Sequence, residues 1–131
     1  MRLIIHRGTK EIGGTCVEVI AGKTRIILDF GMPLSNGLGG EFDERALEDK
    51  STDELIAKGI LYPIKGLYKD SSPQIDAILI SHSHKDHYGF LKFAQPDIPV
   101  YMSSGAEKLI DVLNIFIKKE TSVSCSSYIN A

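Results

Sequence analysis

The stretch QIDAILI, residues 74–80, is a nearly uninterrupted apolar run that stops at the polar string SHSHKDHYG, residues 81–89. A run without alternation leaves no side for water, so it predicts a strand covered on both faces, interior to a sheet. The string that follows carries three of the chain's four histidines. The chain must therefore turn out of its most buried strand into its densest group of metal-binding donors.

The surrounding patterns supply the rest of such a sheet. RLIIH (2–6), TCVEVIA (15–21) and TRIILDF (24–30) read as strands. The second alternates Cys16, Glu18 and Ile20 against Val17 and Val19, and Gly22-Lys23 turns it into the third. GTKEIGG and GMPLSNGLGGE (31–41) are glycine-rich loops. Ser51 and Glu54 form a capping box for a short helix that Gly59 ends. ILYPIKGLYKDSSP is broken by proline and glycine and reads as loop. GFLKFA predicts a short helix stopped by Pro96, PVYMS (99–103) a strand, and SGAEKLIDVLNIFIKK a helix of roughly four turns. That last helix starts from a Ser104–Glu107 capping box, and its Leu109, Val112, Leu113, Phe116 and Ile117 are expected to face the core. ETSVSCSSYINA, at 120–131, has no period and reads as a poorly ordered end. The order predicts an α/β fold, helices covering a mixed sheet, within one domain over 1–131.

At 131 residues and 43% hydrophobic content the chain has material for one core. Its apolar runs are too short for a membrane span and its start lacks a signal-peptide layout, which predicts a cytoplasmic protein. Cys16 and Cys125 stand in no metal-binding or redox spacing and read as reduced thiols. Residues 41–54 hold seven acids and two bases, against ten acids and 13 bases elsewhere. That segment reads as a solvated surface that a polyanion would avoid.

His82 and His84 lie two apart, so in extended backbone their rings share a side and reach one ion. Asp86 and His87 follow where the chain turns into a helix, and the turn can aim an oxygen and a nitrogen at a second ion nearby. Imidazole mixed with carboxylate, without thiolate, suits Zn²⁺ first, with Mn²⁺ or Fe²⁺ allowed by ligand type. Such a pair lowers the pKa of bound water and stabilises charge developing at a carbonyl or phosphoryl centre.

A strand followed by HxHxDH resembles the metallo-β-lactamase fold superfamily. EIGGTCVEV and TRIILDFGMPL are similar to the opening of ribonuclease J-like and related β-CASP hydrolases, where an EIG segment, a hairpin and DFG precede the histidines. The resemblance covers residues 3–119, best at 11–33 and 75–91 and weakly at 35–74. It implies the N-terminal half of an αββα sandwich. His82 and His84 would bind one metal, and Asp86 and His87 the other. Asp86 would also orient or deprotonate the attacking water, and Asp29 would anchor a ligand histidine's other N–H. His6, at the end of the first strand, is read as structural.

The family's further metal-binding histidine, bridging aspartate and final histidine have no counterpart here. No histidine follows His87, and Asp97 and Asp111 stand in a proline-flanked turn and a helix. A truncated half would leave an apolar sheet face open, which predicts self-association or a missing C-terminal half, and weak or absent activity for this chain alone. Three functions fit these residues: a phosphodiesterase or ribonuclease with RNA as partner, a hydrolase of small thioesters, lactones or lactams, and an inactive metal-binding or interaction fragment.

Overall fold

The computed structural model describes residues 1–36, 39–69, 72–117 and 127–128. Among the described residues six strands form one sheet in the order β1 (Arg2–Arg7), β2 (Cys16–Ala21), β3 (Thr24–Leu28), β4 (Ala77–Leu79), β5 (Val100–Met102) and β6 (Ser127–Tyr128). The first three are antiparallel and the last three join parallel, giving the mixed sheet that the pattern predicts. The β2–β3 turn is the expected Gly22-Lys23, with Ala21 opposite Thr24 and Gly22 at φ +63°. The helices are α1 (Thr52–Ala57), α2 (Lys85–Tyr88) and α3 (Ser104–Ile117).

The register assigns the faces. Glu18 pairs with Ile27, Ile27 with Ile78, and Ile78 with Val100, so these side chains share one face with Met102. There Ile27, Ile78 and Met102 are fully buried. Much of their cover comes from the segment read as plain loop, where Leu61, Ile64, Leu67 and Tyr68 are all buried. A loop buries side chains without periodicity, so no pattern announces it. The other face carries Leu3, Ile5, Val17, Val19, Ile26 and Leu28. Toward β1 it is open, with Leu3 57% and Ile5 50% exposed.

Two expectations change at α3. Its N-terminal cap is Ser103, whose hydroxyl accepts from the Ala106 N–H at 3.1 Å, and Ser104 is already helical. Of its apolar positions, Ala106 and Ile110 are buried, whereas Leu109, Val112 and Leu113 are exposed. Helical spacing shows an apolar stripe but not that a neighbour covers it. The side chains of Phe116 and Ile117 lie outside the described residues. So do 118–126 and 129–131, most of the expected poorly ordered end, while Ser127–Tyr128 pair with β5. Around α1 the capping box of Ser51 and Glu54 forms, and Gly59 takes φ +69° just past the helix.

Glu18 faces the core although its strand alternates. Its carboxylate accepts from Arg25 Nε at 2.8 Å and lies 2.9 Å from His6 Nε2. Burial alone would raise its pKa, but these two partners outweigh it and hold the carboxyl below its ordinary value. Cys16, on the same face, is a free buried thiol pushed up by burial to about 12. Cys125 lies outside the described residues.

Candidate metal centre

Past β4 the backbone does not stay extended through the histidines. Residues 82–84 bend, His84 occupies the N-terminal cap of α2, and α2 lasts one turn. The bends nevertheless gather the rings. The His82 and His84 ring centroids are 4.8 Å apart, and those of His82 and His87 are 3.7 Å apart. One donor atom from each of His82, His84 and Asp86 lies within 4.8 Å of the others. Asp86 also reaches the fourth residue of the group, with its Oδ2 3.4 Å from His87 Nε2. One carboxylate thus lies within reach of the paired histidines and of His87.

The turn is held by main chain. The Thr15 amide donates to the Asp86 carbonyl at 3.0 Å, the Phe30 amide to that of His87 at 2.7 Å, and the Met32 amide to that of Lys85 at 3.1 Å. The EIGGT and DFGM segments, far off in sequence, therefore clamp the donor loop from two sides. Contact is so close at Gly31 that a Cβ there would sit 1.7 Å from the Asp86 carbonyl oxygen. Only glycine fits.

Asp29 follows β3 in the left-handed region at φ +58°, a conformation that Asp and Asn tolerate better than most residues. It is buried. Its Oδ1 accepts from the Ser81 amide at 2.7 Å, and its Oδ2 lies 2.9 Å from Ser81 Oγ and 2.7 Å from His87 Nδ1. His87 thus has the Asp29 carboxylate at Nδ1, and its Nε2 faces Asp86. Ser81, which sequence reasoning passed over, also places its hydroxyl 3.1 Å from His82 Nδ1 and from His87 Nδ1. Nothing in its spacing separates it from an ordinary loop serine.

The acidic segment also reaches the site. Glu44 pairs with Lys85 at 2.7 Å, so one of the acids expected on a solvated surface is tied to the donor loop. Both line a cavity of about 300 Å³ together with Met32, Leu34, His84 and Asp86. His6 is engaged with Glu18, and Asp111 is exposed on α3; neither belongs to the donor group.

The donor set fits a divalent cation of the zinc type. Two imidazoles and one carboxylate converge, and catalytic zinc sites have three protein ligands with a position left open. His82 and His84 are exposed and Asp86 half-buried, so the group is reachable from solvent.

Comparison with known proteins agrees with this arrangement. No family model matches the chain. A "Probable RNase MJ4" of Methanocaldococcus jannaschii is 30% identical over 116 residues, covering 86% of this chain and 21% of that protein. A "Transcription termination factor FttA" of Methanothermobacter thermautotrophicus is 26% identical over 117 residues, 87% of this chain and 15% of that one. An "RNase J-like protein" of M. jannaschii is 30% identical over 91 residues, 70% of this chain and 15% of that protein. Among solved structures, a protein of unknown function from Enterococcus faecalis V583 superposes with a TM-score of 0.69 at 27% identity, over 87% of this chain and 28% of that one. The chain thus spans about a fifth or less of the length of these curated relatives. With the HxHxDH turn, the mixed α/β sheet and these relatives together, the chain resembles the metallo-β-lactamase fold superfamily, in its ribonuclease J-like, β-CASP-related group.

Proposed function

We propose that this chain is part of a metal-dependent phosphodiesterase acting on RNA. His82 and His84 hold one divalent cation, and Asp86 and His87 a second, with zinc first by ligand type and Mn²⁺ or Fe²⁺ next. The observation that supports a metal is the convergence of His82, His84 and Asp86 within 4.8 Å, and Asp86 Oδ2, 3.4 Å from His87 Nε2, is the group the two ions would share. Cations held there supply Lewis acidity and lower the pKa of bound water. In this reading Asp86 would orient that water and accept its proton, while Asp29 and Ser81 would hold the His87 ring in one orientation. The names of the relatives support RNA as substrate.

Two measurements test it together: zinc per chain by mass spectrometry after reconstitution, and cleavage of end-labelled RNA with and without chelator. Zinc uptake is expected, with chelator-sensitive cleavage that is weak in this chain alone and stronger once it is joined to the rest of its domain. A chain that takes up no zinc refutes the metal assignment, and a zinc-loaded chain that leaves RNA intact refutes the substrate. In the latter case the cavity beside His84, walled by Met32 and Leu34, favours a small thioester, lactone or lactam instead. Metal uptake without any hydrolysis is the outcome for an inactive binding fragment.

We read residues 1–131 as one partial domain of a cytoplasmic protein. Among the described residues no helix is long and apolar enough to cross a membrane. The open face bearing Leu3 and Ile5 supports cover by a second copy or by further polypeptide. Light scattering on the purified chain distinguishes the two, because a clean monomer at high concentration rules out self-association.

A further inference from the structure

Away from the histidines, Arg7 closes β1 and is only 7% exposed. Its Nη2 donates to the Gly59 carbonyl at 2.9 Å, and its guanidinium carbon lies 4.9 Å from the centre of the Tyr62 ring. The rest of the fork is poorly served. Among the described residues Nη1 has no hydrogen-bond partner, and Nε has only the Glu11 carboxylate at 3.1 Å, outside hydrogen-bond geometry. A buried, charged donor left unpaired is costly, and a bound anion would satisfy it.

The surroundings suit an anion. Arg7 lines a cavity of about 250 Å³ with Glu11, Ser35 and Lys58. Gly14, at φ +74°, lets the side chain through, since a Cβ there would come within 2.6 Å of Arg7 Cδ. Pro33 and Ser35 face this cavity, whereas Met32 and Leu34 line the one beside His84 and Asp86. The segment is extended, with Pro33 bridging to Gly13 and Ser35 to Glu41, so alternate side chains point to opposite sides. One strand of chain separates the two cavities.

We propose that the Arg7 cavity is a binding site for a phosphate-type oxyanion, held by Arg7 and Lys58 and guarded by Glu11. A guanidinium fork matches phosphate geometry, and Lys58 adds a second positive charge at the exposed rim. Glu11, whose side chain is 29% exposed, is the stand-in anion and swings outward when phosphate enters. The ligand is a backbone phosphate of an RNA strand or free phosphate. The site rests on Arg7, Glu11 and Lys58, and not on the metal reading.

The test is a titration with inorganic phosphate at constant ionic strength, followed by NMR at the Arg7 Nε–Hε signal, in the wild-type chain, Lys58→Ala and Glu11→Gln. Saturable binding is expected in the wild type, weakened about three- to tenfold in Lys58→Ala and tightened by a similar factor in Glu11→Gln. A purely structural Arg7 gives no such opposed pair. Absence of saturation in the wild type, the same response to chloride, or equal affinities in all three proteins overturns the proposal. Single-stranded RNA without terminal phosphates is then added to the phosphate complex. Displacement identifies backbone phosphate as the ligand, and failure to displace identifies free phosphate, either of which supports the site. None of these variants touches the histidine cluster, so a negative result here leaves the hydrolase reading standing, and the reverse holds too.

Discussion

Replacing Asp29 with Asn exchanges one carboxylate oxygen for an NH₂ group and separates a scaffold role from a metal-tuning one. The φ of +58° is tolerated by both residues, so the backbone has no reason to move. The amide oxygen can keep the bond from the Ser81 N–H, but the NH₂ that replaces Oδ2 cannot accept from His87 Nδ1–H. His87 must then carry its proton on Nε2, the nitrogen that faces Asp86, and a protonated nitrogen binds no cation. Loss of such a supporting contact typically costs about 10- to 100-fold in metal affinity. That corresponds to about 1.4–2.7 kcal/mol. The metal-free fold loses less, about 1–2 kcal/mol, because the Oδ2 acceptor shared by His87 Nδ1 and Ser81 Oγ is gone while the bond from the Ser81 N–H survives. The assay is zinc competition against a chromophoric chelator, alongside urea unfolding of the metal-free protein. Asp29→Gly serves as a control that relieves the left-handed backbone and removes the acceptor entirely. If Asp29→Asn loses stability but binds zinc within about twofold of wild type, then Asp29 only braces the loop and the reasoning fails.

Three further outcomes follow from particular contacts. The double variant His82→Ala/His84→Ala should abolish zinc uptake while its far-ultraviolet circular dichroism and unfolding midpoint stay near wild type, because both rings are exposed; retained zinc would place the metal elsewhere. Gly31→Ala should cost more than about 3 kcal/mol in urea unfolding, since its Cβ meets Asp86 and Thr15 main chain rather than a side chain that can turn away. Glu18, whose folded pKa is lowered, adds stability above its unfolded pKa of about 4.3, and that stability is lost as pH falls through the folded value. Wild type should therefore lose stability on acidification more steeply than Glu18→Gln, and parallel unfolding curves across that range would contradict the pairing with His6 and Arg25.

The parts of the fold legible in the sequence are those where a period or a local signal suffices. The β2–β3 hairpin showed in Gly22-Lys23 and in the apolar runs beside it, and α1 in Ser51 and Glu54, three residues apart. The buried Glu18 did not show, because its partners His6 and Arg25 sit on neighbouring strands and only pairing register unites them. Leu61 to Tyr68 were missed as core for want of any period. The spacing of Leu109, Val112 and Leu113 reports amphipathicity and not cover. At the site, His82, His84, Asp86 and His87 were visible because seven consecutive residues carry three histidines and an aspartate. Ser81 and the Glu44–Lys85 pair were not, since each acquires its meaning only from the tertiary contact.

The main-chain bonds that bind Thr15, Phe30 and Met32 to the donor turn have a consequence for how such a site can change. None of them depends on the identity of the side chains at 82, 84, 86 or 87. The turn is a socket whose pins are interchangeable, and a lineage can swap a histidine for a cysteine or an aspartate, change its preferred ion, or abandon metals altogether, without rebuilding the loop. The residues that cannot drift are the ones that never touch an ion, above all Gly31, where the two backbones meet too closely to admit a single extra carbon.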